Sequence, residues 1–450
     1  AERRAEQSEV CDDEVLPPPP RALRAALPPS GRERMPAGRR AEQSEVCDDD
    51  EQGSIARDGR QAVPSGADFA TTKEGNENMS ATSIGLPKLK IAFEKAAQAT
   101  ANRAKKGYVG MIVRDAKAQG LHKLVSDTMI PTELGVDNQA LVKLAFEGSD
   151  RGAPSLVYLV VIATGTEDTT ALEGGLKLLE SVSVDYLAGP ADVTEDELEV
   201  LNEWVKAQRA AYRTVKLVRP FQTAGSDDMG IIEVDETGMK DASGSLTAAK
   251  YCARFAGIFA GIPMGMSATY AALPELTAVT ARSEEEQTTA IDAGKLILLH
   301  DGQKAKIARA VNSLTTIPVN GNEDWRKVKI VEGMDLITYF LRTTIEDSYL
   351  GQYPNTYDNK QLLVAYILEY LHYLEGAGVL NPGESFCEID YDRQLNYLKS
   401  QGVEVADLTR QQVLEYQTGS WVFLRCGGRL VDAMEDFEVL FNAVSLPGAA

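Results

Sequence analysis

The chain has 450 residues, 44% of them hydrophobic and 25% charged, with a formal charge of −21 at pH 7. That mix suits a folded protein with real cores, and so acidic a balance, without any Lys/Arg-rich block, argues against a nucleic-acid binder. Length suggests about three domains. No apolar run reaches the roughly 18 residues that would span a bilayer, and no charged-then-apolar leader pattern opens the chain.

Residues 1–78 differ in composition from the rest. They carry a Pro-Pro-Pro-Pro run, many Arg and acidic residues and a single aromatic, Phe69. Such a segment cannot bury enough apolar area to offset chain entropy and is expected to be disordered. It also repeats itself: "RRAEQSEVCDD" stands at 3–13 and again at 39–49. Two copies without an apolar face cannot stack as a solenoid. "KEGNEN" immediately before Met79 back-translates to a purine-rich ribosome-binding sequence. The expectation is therefore that translation starts at Met79 and that residues 1–78 are translated upstream DNA.

"GLPKLKIAFEK" (85–95) follows. Leu89, Ile91 and Phe93 alternate with Lys88, Lys90 and Glu94, the period of a half-buried strand, yet no hairpin partner lies nearby. Beyond it, "GYVGMIVRDAK" and the near-continuous apolar "APSLVYLVVIAT" read as strands covered on both faces. An amphipathic helix begins near Thr169, and "VDYLAGPAD" is strand then turn. "TEDELEVLNEWVKAQRAAY" is a helix opened by a Thr194/Glu197 capping box, and "TVKLVRP" and "GIIEVDE" are further strands. Strands alternating with helices predict right-handed crossovers and a mainly parallel sheet. "LTAAKYCARFAGIFAGIPMGMS" reads as a buried helix, its small residues allowing close packing on a sheet.

A second block opens after "SEEEQ". "KLILLHDGQKAKIARAVNSLT" is a hairpin turning at Asp301-Gly302. Two long helical patterns follow, the second with Leu363, Ile367, Tyr370, Leu371 and Leu374 on one stripe and an end at Gly376 or Gly378. "ESFCEIDYD" is a strand and "DRQLNYLKSQG" a short helix. "GSWVFLRCGGRLVDAMEDFEVLFNAV" reads as two strands around Gly427-Gly428, closing on "DFEVLFNAV", where Phe437, Val439 and Phe441 alternate with Glu438, Leu440 and Asn442.

Catalytic signatures are sought and not found. There is no phosphate-cradling G-x-x-x-x-G-K-[ST], no G-x-G-x-x-G opening a helix, no G-x-S-x-G elbow and no H-E-x-x-H or Cys/His ligand cluster. His122, His300 and His372 are isolated and read as structural or surface residues. Asp227-Asp228 and Glu284-Glu285-Glu286 read as solvated charge in loops. The five cysteines (Cys11, Cys47, Cys252, Cys387, Cys426) are scattered and read as free thiols made in a reducing compartment. No metal or cofactor is expected.

Four stretches together resemble the contractile tail sheath proteins of phages, above all the short sheaths of Gram-positive prophages and R-type bacteriocins. They are "IGLPKLKIAFEKAA", "AIDAGKLILLHDGQKAKIARAVNSLTT", "DLITYFLRTTIEDSYLGQYPNTYDNKQLLVAYILEYLHYLEGAGVL" and "LVDAMEDFEVLFNAV". Their order and spacing, rather than any one motif, carry the likeness. It covers most of 84–444, and no counterpart exists for residues 1–78. The resemblance implies mixed α/β and α+β architecture in five parts: the segment 1–78, an N-terminal arm at 79–98, an outer α/β domain at 99–288, an inner domain with two long helices at 289–435, and a C-terminal arm at 436–450. It also implies a non-enzymatic subunit polymerising as stacked hexameric rings around a tail tube and contracting to drive that tube through a cell envelope. Expected partners are the chain itself, the tube protein, and baseplate and terminator proteins. The expected location is a virion tail assembled in a bacterial cytoplasm.

In that family the arms add strands to neighbouring subunits. Lys88, Leu89, Lys90, Ile91 and Phe93, with Phe437, Val439, Leu440 and Phe441, are the expected inter-subunit strands. Strand addition supplies main-chain bonds whatever the side chains are, about five or six at about 0.5–1.5 kcal/mol each. Arg326, Lys327 and Lys329 form a small basic cluster in an acidic chain and are the candidate tube contact. The competing reading is a homo-oligomeric α/β enzyme, which requires a pocket of convergent titratable groups at strand ends.

Overall fold

Residues that are apolar on both sides of an extended segment belong between two layers, and the first strands are of that kind. In the computed structural model, which describes residues 107–165, 169–223, 225–263 and 265–441, all within one compact unit, β1 spans Tyr108–Arg114 and β2 Gly120–Leu124. Then come α1 (Val136–Glu147), β3 (Leu156–Ile162), α2 (Thr170–Leu179), β4 (Tyr186–Ala188), α3 (Glu195–Ala210), β5 (Lys216–Pro220), β6 (Ile231–Val234) and α4 (Ala248–Gly261). Three short elements, β7 (Ala272–Leu273), α5 (Glu284–Asp292) and β8 (Lys295–Leu296), lead to a hairpin of β9 (Leu298–His300) and β10 (Ala305–Ile307).

Seven of these strands form one sheet in the order β2-β3-β1-β4-β5-β6-β8, parallel except for β2. Val109, Met111 and Val113 of β1 join one core with α1 and α4, while Ile112 joins the opposite core with α2 and α3. That two-sided burial is the physical reason the strand sequences are continuous apolar runs. β8 lies beyond residue 288, so the sheet takes its last strand from the block expected to be separate.

α3 starts where expected: the Thr194 amide donates to Glu197 Oε2 at 3.0 Å and the Glu197 amide to Thr194 Oγ1 at 3.4 Å. α4 is buried along most of its length and crosses α1 so closely that a Cβ at Gly257 would sit 2.0 Å from the Ala145 carbonyl oxygen. One expectation needs correction and one an addition. Glu284, Glu285 and Glu286 are the first turn of α5, held by a Ser283/Glu286 capping box, and their charges favour that helix N-terminus. Asp227 is exposed loop charge as expected, but it is also tied down: hydrogen bonds from the Thr316 hydroxyl and from the Thr316 and Thr315 amides hold its carboxyl well below the usual carboxylate range.

The remaining chain builds a third core. α6 (Val328–Thr344) is enclosed over its first half, and α7 (Tyr357–Gly376) buries Leu363, Ile367, Leu371 and Leu374 as the stripe predicts. β11 (Phe386–Ile389), α8 (Tyr391–Ser400), α9 (Arg410–Glu415) and β12 (Leu424–Gly427) complete it, with β11 and β12 forming an antiparallel pair. The strand expected after Gly428 is reduced, among the described residues, to isolated bridge positions at Leu430, which pairs with Leu380, and at Val431.

α6 ties this core to the sheet through buried charge. Arg209 of α3 grips the Asp335 carboxylate with both terminal nitrogens at 3.0 and 2.8 Å, and Lys216 of β5 donates to it at 2.7 Å. The Tyr186 hydroxyl donates to Glu332 one turn earlier. Burial pushes the Asp335 carboxyl up, but Arg209 and Lys216 outweigh it and hold the group below its ordinary value.

Candidate functional site

The residues that the alternation singled out at the C-terminus are the ones the fold leaves outside. Arg429 still accepts a backbone bond from Asn381, and then the chain runs along the body without regular structure. Its root is held by ion pairs: Lys327 with Asp432, and Arg309 with Glu435 at 3.4 Å and with Asp436. Beyond this clamp Phe437, Val439, Leu440 and Phe441 are 73, 80, 86 and 84% exposed. Among the described residues, no backbone hydrogen bond or strand pairing involves 437–441. Four apolar side chains within five residues thus stand in water, on a backbone that makes no ladder bond among the described residues. The expected N-terminal arm residues Lys88, Leu89, Lys90, Ile91 and Phe93 lie outside the described residues.

The same block holds the two-stranded sheet of β11 and β12. Its register pairs Phe386 with Gly427, Cys387 with Cys426, Glu388 with Arg425 and Ile389 with Leu424. Ile389 and Cys387 pack inward against the α7 core, while Phe386 and Glu388 are exposed. Two strands have two free edges, and a two-stranded sheet is marginal without further pairing or packing. The seven-stranded sheet, by contrast, ends on β2 and on a two-residue β8.

The basic trio is not a free surface patch. Lys329 is 5% exposed, and burial lowers its ammonium below the ordinary value. Lys327 is spent on Asp432, and Arg326 reaches back to the Asp292 carbonyl. In this chain by itself Lys329 is not at the surface: at the start of α6 its side chain turns inward toward the Gly265 carbonyl, near Asp432, Glu435 and Glu332. Composition located the cluster but carried no information on direction. The aspartate and arginine partners of Lys327 and Asp436 were missed because they come from segments more than a hundred residues apart.

The remaining candidates make local contacts among the described residues. His122 Nε2 lies 2.7 Å from the Ala118 carbonyl and His300 Nδ1 accepts from the Gly302 amide, both local contacts. Among the described residues, no three His, Cys, Asp or Glu side chains converge to hold a metal, and no helix is long and apolar enough to cross a membrane. An open cleft beside α7 is lined by Tyr349, Tyr353, Leu362, Tyr366, Asn359 and Glu369, an aromatic surface without a nucleophile and base in contact.

Comparison with known proteins agrees with this geometry. The model of the phage tail sheath C-terminal domain family matches residues 320–443. The tail sheath protein of Clostridium phage phiCD119 is 32% identical over 357 residues, covering 79% of this chain and 98% of that protein. Among solved structures, the contracted helical sheath of the anti-feeding prophage superposes with a TM-score of 0.57 at 15% identity, over 80% of this chain and 99% of its own. A chain of the six-fold-symmetrised anti-feeding prophage baseplate gives a TM-score of 0.55 at 14% identity, over 81% and 100%. The chain belongs to the phage tail sheath family.

Proposed function

We propose that this chain is the repeating subunit of a contractile sheath, stacked in six-fold rings around a tail tube, that shortens and widens to drive the tube through a cell envelope. One observation carries the reading: among the described residues the chain holds an exposed apolar arm without strand pairing and, in the same block, a sheet of only two strands. An arm from one copy that completes the sheet of the next joins unlike patches on identical subunits. Such a heterologous contact, when it does not close on itself, generates a helical array. Strand pairing through flexible arms also lets the globular bodies slide while the main-chain bonds persist, which is what contraction without disassembly requires. The contracted anti-feeding prophage sheath and the six-fold baseplate, sharing the fold, support the same reading.

The role is structural rather than catalytic. The partners are other copies of the chain, a tail tube protein, and baseplate and terminator proteins, in a particle assembled in a bacterial cytoplasm. The strand donors are Phe437, Val439, Leu440 and Phe441 at one end and Lys88, Leu89, Lys90, Ile91 and Phe93 at the other. Arg326 and Lys327, whose side chains are 24 and 25% exposed, are proposed to face the tube. Negative-stain microscopy of the purified full chain tests the reading. Hollow striated cylinders are expected, and a chain ending at residue 435 should stay soluble and unassembled. A full chain that never polymerises sinks the sheath reading; a shortened chain that still builds cylinders sinks the role given to the arm.

A further inference from the structure

The cysteines that stand far apart in sequence do not all stand apart in space. Cys387 and Cys426, separated by 39 residues, are direct register partners on β11 and β12, with their sulfurs 2.6 Å apart. Residues opposite one another on antiparallel strands have Cα atoms about 4.5–5.5 Å apart and side chains on the same face. That lies inside the span of about 4.4–6.8 Å that a disulfide bridges, so no backbone movement is needed. Cys387 is buried against α7, and Cys426, packed on the same core, is the less buried of the two, so it is the one a small oxidant meets first.

We propose that Cys387 and Cys426 are an oxidation site: they remain thiols in a reducing cytoplasm and close to a disulfide when a small-molecule disulfide is the oxidant in the surroundings. The Cys426 thiolate attacks one sulfur of that oxidant and expels one thiolate. The Cys387 thiolate then attacks the Cys426 sulfur of the mixed disulfide and expels the second. One S–S bond breaks and one forms. The oxidant takes up two electrons and the two protons shed by the protein thiols, and leaves as two thiols.

The bond fixes β11 against β12 and leaves both outer edges of that sheet free. Its effect is to stiffen the surface on which an arm docks without covering it. The chemistry concerns one subunit, whereas its value as a staple on the arm-receiving sheet rests on the sheath reading. Cys252 is a control within the same chain, sealed in the core between α4 and the sheet with burial pushing its thiol far up.

The test uses the full chain, oxidised glutathione as the probe, and alkylation of residual thiols before proteolysis and mass mapping. The expected result is a linked pair of fragments containing Cys387 and Cys426, lighter than the separate fragments by about 2 Da. Cys252 should stay reduced. The Cys426 thiol is held up by its hydrogen bond with Cys387 and by burial, so closure should quicken as the pH rises. Tm should rise by several degrees and fall back on adding a reductant. A Cys387→Ser chain should instead accumulate glutathione on Cys426. Recovery of both cysteines fully alkylated from oxidised, folded protein would overturn the proposal, as would a link from either one to a different thiol. Mapping is indifferent to whether the chain polymerises, so a failure here and a failure of cylinder formation are read separately.

Discussion

The sheet of the α/β body and the sheet of the C-terminal block treat their backbones in opposite ways. In the first, seven strands lie under helices on both faces, and the edges are β2 and a two-residue β8. In the second, two strands carry a core on one face only, and the segment that follows them runs into solvent with its apolar residues bare. A monomer that needed only to be stable would gain from tucking residues 437–441 against a free edge of its own. Among the described residues it makes no such pairing, which fits the surface proposed above for another copy of the chain. On the proposed reading stability is concentrated in one region and the capacity to associate in the other, and substitutions should separate the two.

The largest effect on the folded chain is expected at the joint between the regions. Asp335→Ala removes the partner shared by Arg209 and Lys216 and leaves two buried cations unpaired, at a cost of about 3–5 kcal/mol. Thermal unfolding of the variant would check it. The same group sets an acid limit. Its folded pKa is depressed, so its contribution is fully present above the unfolded value of about 4 and is lost as pH falls through the lower folded value. An Asp335→Asn chain should show a shallower decline of Tm between about pH 5 and pH 2 than the parent. An equal slope would mean that other carboxylates dominate acid unfolding.

Next in size is Gly257→Ala. Helix propensity alone would favour it by about 1 kcal/mol, but the added Cβ meets the Ala145 carbonyl, a backbone atom that cannot rotate away. Separation of α1 from α4 should cost a net of about 1–3 kcal/mol. Smaller still is Thr194→Ala, which removes one half of a capping box and should cost about 0.5–2 kcal/mol in a denaturant titration. Both changes sit in the body, and cylinder formation at temperatures below their lowered Tm should survive them.

What could be read from the sequence divides along the same line. Strands β1, β3, β5 and β6 were legible because two-sided burial writes an apolar run, and α3 because its cap is spelled out at Thr194 and Glu197. α1 was not legible: the residue before its start is Gly135, which offers no side-chain cap, and it buries only Leu141, Val142 and Ala145. The acids of α5 were misread although Ser283 and Glu286 carried the same signal that revealed α3. At the site, alternation singled out the C-terminal arm residues but placed them in a strand that is not formed among the described residues. The Arg309 and Lys327 clamp and the Cys387–Cys426 pair depend on contacts between distant segments, which no local pattern encodes.

The smallest expected effect on stability is also the most discriminating. Leu440→Asp and Phe441→Asp change side chains that are 86 and 84% exposed, so the monomer should unfold within about 0.5 kcal/mol of the parent. In an assembled array the same carboxylates would have to enter a core, where an unpaired charge is held only at a cost of several kcal/mol. The two variants should therefore melt normally and fail to form cylinders, the reverse of Gly257→Ala. If they polymerise as well as the parent, these side chains are not buried between copies and the arm contributes through its backbone alone. If their Tm drops by many degrees, the arm is already packed at home, and the contrast between a closed body and an open end is lost.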